Sequence, residues 1–356
     1  MKGIIMERRE FLKAAGTVAG GYALASQTLL AGQTSSTGGE DSVAGLPRRV
    51  LGRTGEKVSI VCFPGLALNQ LSQEESTAGV RRAFEQGINH FDVAPAYGSA
   101  EVKMGPALQG LDRTKIFLSC KTKMRDKDGA RTELERSLER LQTDYFDLYQ
   151  MHHIRTPEEV KTALGPGGAI ETFLKAKEEG KIKHIGFSAH TTKGALEMLK
   201  GFQFASVMFP LSYVDYMNWG FGKAVVETAQ ERGTAVLAMK AIYAGAWPQG
   251  AQRTRKWWYR PLEKDDEIEL ALRFALSQPG VVTTVPVSYL DLTDKCIEAA
   301  KSYRPITEAD LAKLQQLAAG CGSVFRQEDE KVALGLPLPE SLHPDSPHAC
   351  CCFAHA

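Results

Sequence analysis

The stretch Phe91-Asp92-Val93-Ala94-Pro95-Ala96-Tyr97 decides the fold, because it shows how a strand ends in this chain. A short predicted strand covers residues 90–93, and Asp92 lies near its end. A tyrosine follows Asp92 by five positions, in a loop marked by Pro95. Polar residues at the carboxyl ends of buried strands are typical of α/β proteins, whose functional side chains gather at that edge of a parallel sheet.

Similar short apolar runs recur on both sides of this stretch and alternate with longer amphipathic segments. One such segment, residues 132–141, repeats leucine at three- and four-residue steps among charged residues, which predicts a helix. A second helix is predicted over 268–276. The alternation indicates βα units around a parallel sheet. The predicted strands cover residues 60–63, 90–93, 116–120, 146–151, 184–187, 206–209, 235–239 and 281–285.

Eight strands, each followed by a helix, predict an α/β fold of the (β/α)₈ TIM barrel type over residues 48–319. An open doubly wound sheet is the alternative. It is disfavoured because the first βα turn, residues 63–67, lacks the G-x-G-x-x-G pattern of a dinucleotide fold. A hairpin over 50–58 is expected to close the bottom of the barrel. A last helix is predicted over 307–319, with Thr307 as N-cap and Asp310 at the third helical position.

Composition and charge favour a folded protein with a small-molecule partner. The 356 residues are 43% hydrophobic and 24% charged, and 43 basic against 42 acidic side chains leave a net charge of +1. This balance provides no broad field to attract nucleic acid, so no nucleic-acid partner is expected. The oligomeric state cannot be read from these features.

The N-terminus has the pattern of an export signal. Arg8 and Arg9 precede Phe11-Leu12-Lys13 and a weakly apolar run over 14–31. This pattern predicts a twin-arginine (Tat) signal peptide over 1–31, recognition by the Tat export machinery, and a periplasmic or otherwise exported protein. Residues 32–47, rich in Ser, Thr and Gly, are predicted to be a flexible linker.

The chain has seven cysteines, and an odd number cannot all form disulfide bonds with one another. Cys62 and Cys120 lie in apolar runs and are expected to be buried thiols. Residues 320–356 are predicted to be an irregular tail in which Cys350-Cys351-Cys352 accompanies three histidines. A metal-binding export protein that works through this tail is a weak alternative. The spaced ligand pattern of a zinc site is absent, so no metal site is predicted.

Four polar residues end or closely follow strands two, three and four. They are Asp92, Tyr97, Lys121 after residues 116–120, and His152 after residues 147–151. In these residues, and in the run Gly186-Phe187-Ser188, the sequence resembles the aldo-keto reductase family from about residue 51 to residue 313. The resemblance implies that Asp92, Tyr97, Lys121 and His152 are the family's catalytic tetrad.

The chemistry of these residue types agrees with that assignment. Reduction of a carbonyl by hydride requires a proton for the oxygen, and Tyr97 can supply it. Lys121 would ease ionisation of the phenol, Asp92 would hold Lys121, and neutral His152 would orient the carbonyl oxygen. Taken singly, Asp92 could be a helix cap, Lys121 a strand-end lysine and Tyr97 a rim aromatic.

Strand alternation separates His152 from its neighbour His153. Gln150 and His152 fall on one face of the strand, whereas Met151 and His153 fall on the other. His153 is therefore predicted to lie on the outer face.

The resemblance also implies NADP or NAD as cofactor and a small carbonyl compound as substrate. Four further positions are predicted to contact the cofactor, and they are Ser188, Met208, Lys240 and Ser288. Ala189 and Met208 replace the amide side chains that the family uses beside Ser188, and the basic residues that usually hold the 2′-phosphate are missing after strand eight. Lys295 could replace them, and NAD is a real alternative to NADP.

A loop rich in Trp and Arg, residues 244–264, follows strand seven on the predicted catalytic face. Its aromatic faces and guanidinium groups suit sugars, quinones or carboxylates, although a lid packed on the barrel would have the same composition. The main prediction is an NAD(P)-dependent reductase of aldehydes or ketones. The alternative is a nucleotide-binding barrel without catalysis that acts as a sensor or accessory subunit.

Overall fold

Eight parallel strands form the centre of the computed structural model, which describes residues 41–338. Neighbours in sequence are neighbours in the sheet. The two ends of the sheet are joined by backbone hydrogen bonds, from Cys62 N to Thr284 O at 2.9 Å and from Thr284 N to Ile60 O at 2.9 Å. The predicted (β/α)₈ barrel is thereby confirmed. Its strands are β4 (Phe63–Pro64), β5 (His90–Asp92), β6 (Phe117–Thr122), β7 (Phe146–Ile154), β8 (Ile182–Ala189), β9 (Ser206–Pro210), β10 (Ala235–Met239) and β11 (Val281–Val285).

Strand ends differ from the sequence prediction where pairing, rather than apolar character, sets the boundary. The last two strands have the predicted bounds. The first is displaced, because residues 60–62 contact Thr284 only through an isolated bridge, and regular pairing begins at β4. Strands β7 and β8 are longer than predicted, since polar residues at their ends still form ladder hydrogen bonds.

Helices follow the barrel strands and pack their apolar faces on the sheet. The helix predicted over 132–141 begins earlier, at Lys127, because the Asp126 carboxylate accepts a hydrogen bond from Gly129 N at 2.7 Å and caps a polar first turn. Its buried face contains Leu134 and Leu138. The helices are α1 (Gln73–Glu85), α2 (Ala100–Leu108), α3 (Lys127–Leu141), α4 (Pro157–Leu164), α5 (Ala169–Glu178), α6 (Thr192–Gly201), α7 (Tyr213–Trp219), α8 (Lys223–Glu231), α9 (Asp265–Leu276), α10 (Leu290–Lys301), α11 (Glu308–Ala318) and α12 (Arg326–Ala333).

A small antiparallel sheet precedes the barrel and supports the predicted bottom closure. Its strands are β1 (Ser42–Val43), β2 (Leu46–Val50) and β3 (Lys57–Ser59). Leu51 and Val58 are fully buried in one cluster with residues that fill the barrel interior, such as Leu148 and Leu237. The linker predicted to reach residue 47 is too long, because residues 42–47 include strands and Leu46 is fully buried. The predicted signal peptide lies outside the described residues.

The C-terminal region contains both a confirmed and a wrong prediction. Helix α11 begins with the expected capping box between Thr307 and Asp310. The tail beyond residue 320 was predicted to be irregular, but α12 forms there and packs on α6. The Cys350–Cys352 run lies outside the described residues. Within residues 41–338, Cys62 and Cys120 are buried thiols as predicted, and no helix is long and apolar enough to cross a membrane.

Candidate active site

The predicted catalytic residues converge at the carboxyl end of three adjacent strands. Asp92 is the last residue of β5, Lys121 lies near the end of β6, and His152 lies near the end of β7. Tyr97 follows β5 in a single 3₁₀ turn. Because parallel strands present their carboxyl ends at one mouth of the barrel, positions far apart in sequence meet there.

The turn that presents Tyr97 is held by local backbone geometry. Tyr97 N donates to Ala94 O at 2.9 Å, and Gly98 has a φ of 60°. A Cβ at Gly98 would lie 2.2 Å from the side-chain oxygen of Asn69. That same oxygen accepts a hydrogen bond from Ser99 N at 3.0 Å. Asn69, which the sequence did not single out, therefore fixes the loop against the first βα turn.

Lys121 connects Asp92 with Tyr97. Its buried ammonium forms an ion pair with Asp92 and donates to Tyr97 Oη at 3.1 Å and to Val93 O at 3.2 Å. The ring of His152 meets the ring of Tyr97 edge to face, with centroids 5.5 Å apart. The structure therefore places Lys121 between Asp92 and the Tyr97 phenol, and the catalytic roles of these residues stay predictions.

Burial and charge act in opposite directions on this pair. Burial raises the pKa of the Tyr97 phenol to about 12, although the Lys121 ammonium lowers it. Burial also lowers the pKa of Lys121, but Asp92 and Tyr97 together outweigh burial and raise it above its ordinary value. At neutral pH the site therefore contains a protonated phenol beside a charged ammonium. This is the protonation state that a proton donor needs.

A buried network holds Asp92 from the side away from Lys121. Asp92 Oδ1 accepts from Ser119 Oγ at 2.8 Å and from Gln150 Nε2 at 3.2 Å. His90 Nε2 lies 3.0 Å from Ser119 Oγ. Since the single hydroxyl proton of Ser119 goes to the carboxylate, Nε2 of His90 must carry the proton that Ser119 accepts. Burial lowers the pKa of His90 to about 4, so this imidazole is neutral.

The sequence contained a signal for one member of this network only. Gln150 shares a strand face with His152, and the structure places both on the side of the site. Ser119 and His90 had no such signal, because a short polar residue within an apolar strand is common in protein cores.

His153 does not lie on the outer face, and that prediction is wrong. Its φ of 59° is left-handed, and the register of β7 with β8 shifts between Met151 and Ile154. The alternation of faces therefore stops at this point. The His153 ring packs edge to face on the ring of His190, with centroids 4.2 Å apart. The backbone N–H of His153 donates to Ser188 Oγ at 2.8 Å.

The four predicted cofactor positions all lie at the mouth of the barrel, but in different settings. Met208, Lys240 and Ser288 line one cavity together with Tyr97. Ser188 is buried at the end of β8 and accepts the hydrogen bond from His153 N. Their contacts with a cofactor remain predictions.

The cavity beside Tyr97 is small and covered by aromatic rings. Its volume is about 60 Å³. Trp257, Trp258 and Tyr259 of the strand-seven loop, residues 240–264, line it from above, and Ser288 precedes α10 at its edge. Aromatic faces suit a planar nicotinamide ring, and loops after strands seven and eight of such barrels often bind phosphate. The residues therefore fit a dinucleotide in kind.

The basic residues of this region are engaged in protein contacts. Arg255 forms an ion pair with Asp291 at 2.6 Å, and Arg260 donates to Ala244 O at 2.7 Å. Lys295, the predicted substitute for the 2′-phosphate contact, donates to Glu263 O and forms an ion pair with Asp265, both at 2.7 Å. The structure therefore uses these three cations to hold the loop. Within residues 41–338, no group of three or more His, Cys, Asp or Glu side chains is arranged to hold a metal.

Comparisons with known proteins agree with this geometry. The family model described as the aldo/keto reductase family matches residues 63–265. The uncharacterized oxidoreductase YqkF of Bacillus subtilis is 31% identical over 308 residues, which cover 75% of this chain and 95% of that protein. L-Galactose dehydrogenase of Arabidopsis thaliana is 34% identical over 156 residues, 39% of this chain and 47% of that protein, so that match spans less than half of the relative.

Solved structures show the same fold. The holo form of aldo-keto reductase AKR11C1 from Bacillus halodurans superposes with a TM-score of 0.63 and 25% identity, covering 80% of this chain and 99% of that one. Bombyx mori aldo-keto reductase AKR2E4, solved in complex with NADP, gives a TM-score of 0.57 at 20% identity over 76% of this chain and 92% of that one. From its family match, its barrel and its full-length relative, the chain belongs to the aldo/keto reductase family.

Proposed function

We propose that this chain is an NAD(P)H-dependent reductase of aldehydes or ketones, and that it can oxidise the corresponding alcohols. The observation that carries the proposal is the contact of the buried Lys121 ammonium with both Asp92 and the Tyr97 hydroxyl. Burying both charges of an ion pair costs desolvation free energy. Buried charged groups of this kind are concentrated at functional sites, and in a barrel those sites lie at the mouth.

The side chains would act in a defined order on the carbonyl. When bound, NADPH or NADH supplies the hydride to the carbonyl carbon. His152 orients the carbonyl oxygen beside the Tyr97 hydroxyl. As the C=O π bond opens and the oxygen gains charge, Tyr97 gives that oxygen its proton. Lys121 stabilises the phenolate that remains, and Asp92 keeps Lys121 in place.

Three of the four predicted positions are proposed to hold the cofactor. Ser288 precedes α10 and would contact a phosphate, and Met208 would contact the nicotinamide end of the cofactor. Ser188 Oγ accepts a hydrogen bond from His153 N, so its own hydroxyl proton could be donated to the nicotinamide carboxamide. Lys240 lies in the same wall of the cavity. NADP and NAD are both compatible with these groups.

Turnover assays distinguish this function from the non-catalytic alternative. The mature protein is incubated with NADPH or NADH and a panel of aldehydes, while nucleotide binding is followed separately by quenching of tryptophan fluorescence. The proposal expects both quenching and aldehyde-dependent oxidation of the nucleotide. Quenching without turnover of any aldehyde would instead identify a sensor or accessory barrel.

We also propose export by the Tat pathway, on the evidence of Arg8, Arg9 and the apolar run that follows them. Tat substrates cross the membrane folded, so the cofactor would be loaded before export and tightly held. Replacing both arginines with lysine should leave the precursor in the cytoplasm, as measured by fractionation and immunoblotting. Normal export of that variant, or rapid loss of copurified nucleotide on gel filtration, would contradict these two proposals respectively.

A further inference from the structure

Lys240 is a buried cation in the wall of the catalytic cavity. It follows β10 directly, its backbone has a φ of 62°, and only 7% of the residue is exposed. A left-handed backbone is strained for lysine. Residues with such backbone strain cluster at functional sites, where the surrounding structure holds them in place. It lines the same cavity as Tyr97.

The ammonium of Lys240 has only weak neighbours. Nζ lies 3.4 Å from His190 Nε2 and 3.2 Å from Met239 Sδ. It also faces the rings of Phe325 and Trp258, at 5.2 Å and 5.8 Å from their centroids. Among the residues that the structure describes, it forms no ion pair. Aromatic faces and a thioether compensate a desolvated charge only in part.

Two carboxylates lie near Lys240 without forming an ion pair with it. Asp215 Oδ2 accepts from Ser212 Oγ at 3.0 Å, its buried Oδ1 has no hydrogen-bond partner among the described residues, and Glu328 forms an ion pair with Arg155 at 3.6 Å. Burial lowers the pKa of Lys240 to about 7, although both carboxylates raise it. The charge of Lys240 is therefore only partly compensated within the protein, and an anion in the cavity would stabilise it.

The contacts of the side chain favour the substrate over the cofactor phosphates as the source of that anion. The ammonium contacts His190, which follows β8, and Phe325 of the C-terminal segment, whereas Ser288, the proposed phosphate contact, precedes α10. The His190 ring contacts the ring of His153, which is adjacent to the catalytic His152. Lys240 is thus linked through the rings of His190 and His153 to the residue beside His152.

We propose that Lys240 binds a carboxylate carried by the substrate, so that the enzyme selects carbonyl compounds that also bear an acid group. The inference rests on the proposed function and adds the substrate class to it. Trp257, Trp258 and Tyr259 supply apolar walls for the part of the substrate between the carbonyl and the carboxylate. An ammonium that meets a carboxylate in a water-poor site makes a charge-assisted hydrogen bond.

Paired substrates of nearly equal size test the proposal. The kcat/KM of the wild-type enzyme is measured for 4-carboxybenzaldehyde and for its neutral methyl ester, and the measurement is repeated with Lys240→Met and Lys240→Arg. We expect the wild type to prefer the acid by at least 10-fold. Lys240→Met should lose roughly 10- to 100-fold on the acid and less than about 2-fold on the ester. Lys240→Arg should retain a preference for the acid.

Controls separate the failure of this inference from the failure of the proposed function. Lys223→Met removes an exposed lysine that lies over an aromatic ring and should change neither substrate. A wild type without preference for the acid overturns the inference even if Lys240→Met does not fold. An equal loss on acid and ester, with weaker NADPH binding by fluorescence, would assign Lys240 to a nucleotide phosphate and also overturn it. Absence of turnover with either aldehyde and either nucleotide would overturn the proposed function itself.

Discussion

At the scale of single residues, Tyr97 is the group on which the proposed chemistry depends. Its phenol has a pKa of about 12 in the buried site, so it stays protonated throughout the neutral range. Tyr97→Phe removes one hydroxyl and keeps the ring that packs on His152. Turnover of a good aldehyde should fall by about 10²- to 10⁴-fold, with little change in nucleotide affinity. Steady-state kinetics and fluorescence titration check this. Turnover like that of the wild type would move the acid role to His152.

Lys121→Met should lower turnover in the same direction, and the two effects should not add. Lys121 acts on the substrate only through the Tyr97 hydroxyl that it contacts at 3.1 Å. Once that hydroxyl is absent, removal of the ammonium has little left to change. The double variant should therefore be close to Tyr97→Phe alone. Losses that multiply fully would show that the two residues act independently.

Ser119 is expected to act on catalysis through Asp92, which it contacts at 2.8 Å. Ser119→Ala leaves that carboxylate with one donor fewer, and we expect turnover to fall by roughly tenfold, as for loss of a hydrogen bond to a charged group. Ser206→Ala is the matched control, since its buried hydroxyl has no partner among the described residues. Equal effects of both variants would indicate a purely structural role for Ser119.

At the scale of elements, the strand-seven loop and the C-terminal segment form one cover over the barrel mouth. Ala246 N donates to Gly322 O at 2.8 Å, and Val324 N donates to Tyr243 Oη at 2.9 Å. Below this cover lies the cavity of about 60 Å³ beside Tyr97. The hydroxyl of Tyr243 is one of the groups that join the strand-seven loop to the C-terminal segment.

Tyr243→Phe should loosen this cover without unfolding the barrel. Loss of the hydroxyl removes the bond that Val324 N donates to it and the bond that it donates to Gly322 O, and a net hydrogen bond is worth about 1 kcal/mol. Amide exchange of residues 322–325 should therefore become roughly 5- to 10-fold faster, with exchange in β7 unchanged. Mass spectrometry of peptic fragments measures both. Unchanged exchange at 322–325 would show that ring packing alone holds the segment.

At the scale of the whole molecule, stability should depend on pH through His90. Its folded-state pKa is about 4 against an ordinary value of 6.5, so the unfolded chain binds the proton more tightly. This group contributes stability above pH 6.5 that is lost as pH falls towards 4. For a fully buried group the loss is about 3 kcal/mol.

Urea unfolding of the wild type and of His90→Asn at pH 6.5 and pH 4 measures this dependence. Acidic groups titrate equally in both proteins, so the difference between the two pH slopes isolates the imidazole. The wild type should lose about 3 kcal/mol more than the variant over this interval. Equal losses would mean that the folded protein binds a proton at His90 as readily as the unfolded chain does.

The sequence by itself determined the barrel, the family and the place where the four proposed catalytic residues meet. Strand and helix periods are local properties, and Asp92, Lys121 and His152 lie where strands end, so their meeting at one mouth follows from parallel strands alone. Tyr97 needed one turn more, which Pro95 and Gly98 encode locally. For these features, short-range pattern and long-range structure agree.

Only the tertiary structure decided the surroundings of those four residues. The bonds from Ser119 and Gln150 to Asp92 join positions 27 and 58 apart in sequence, and no local pattern reports such pairs. The left-handed backbone of His153 interrupts an alternation that the sequence predicted to continue. Lys240 is buried because Phe325 covers it from a segment expected to be irregular. Burial and hydrogen bonding depend on which distant segments pack together, and therefore appear only in the folded chain.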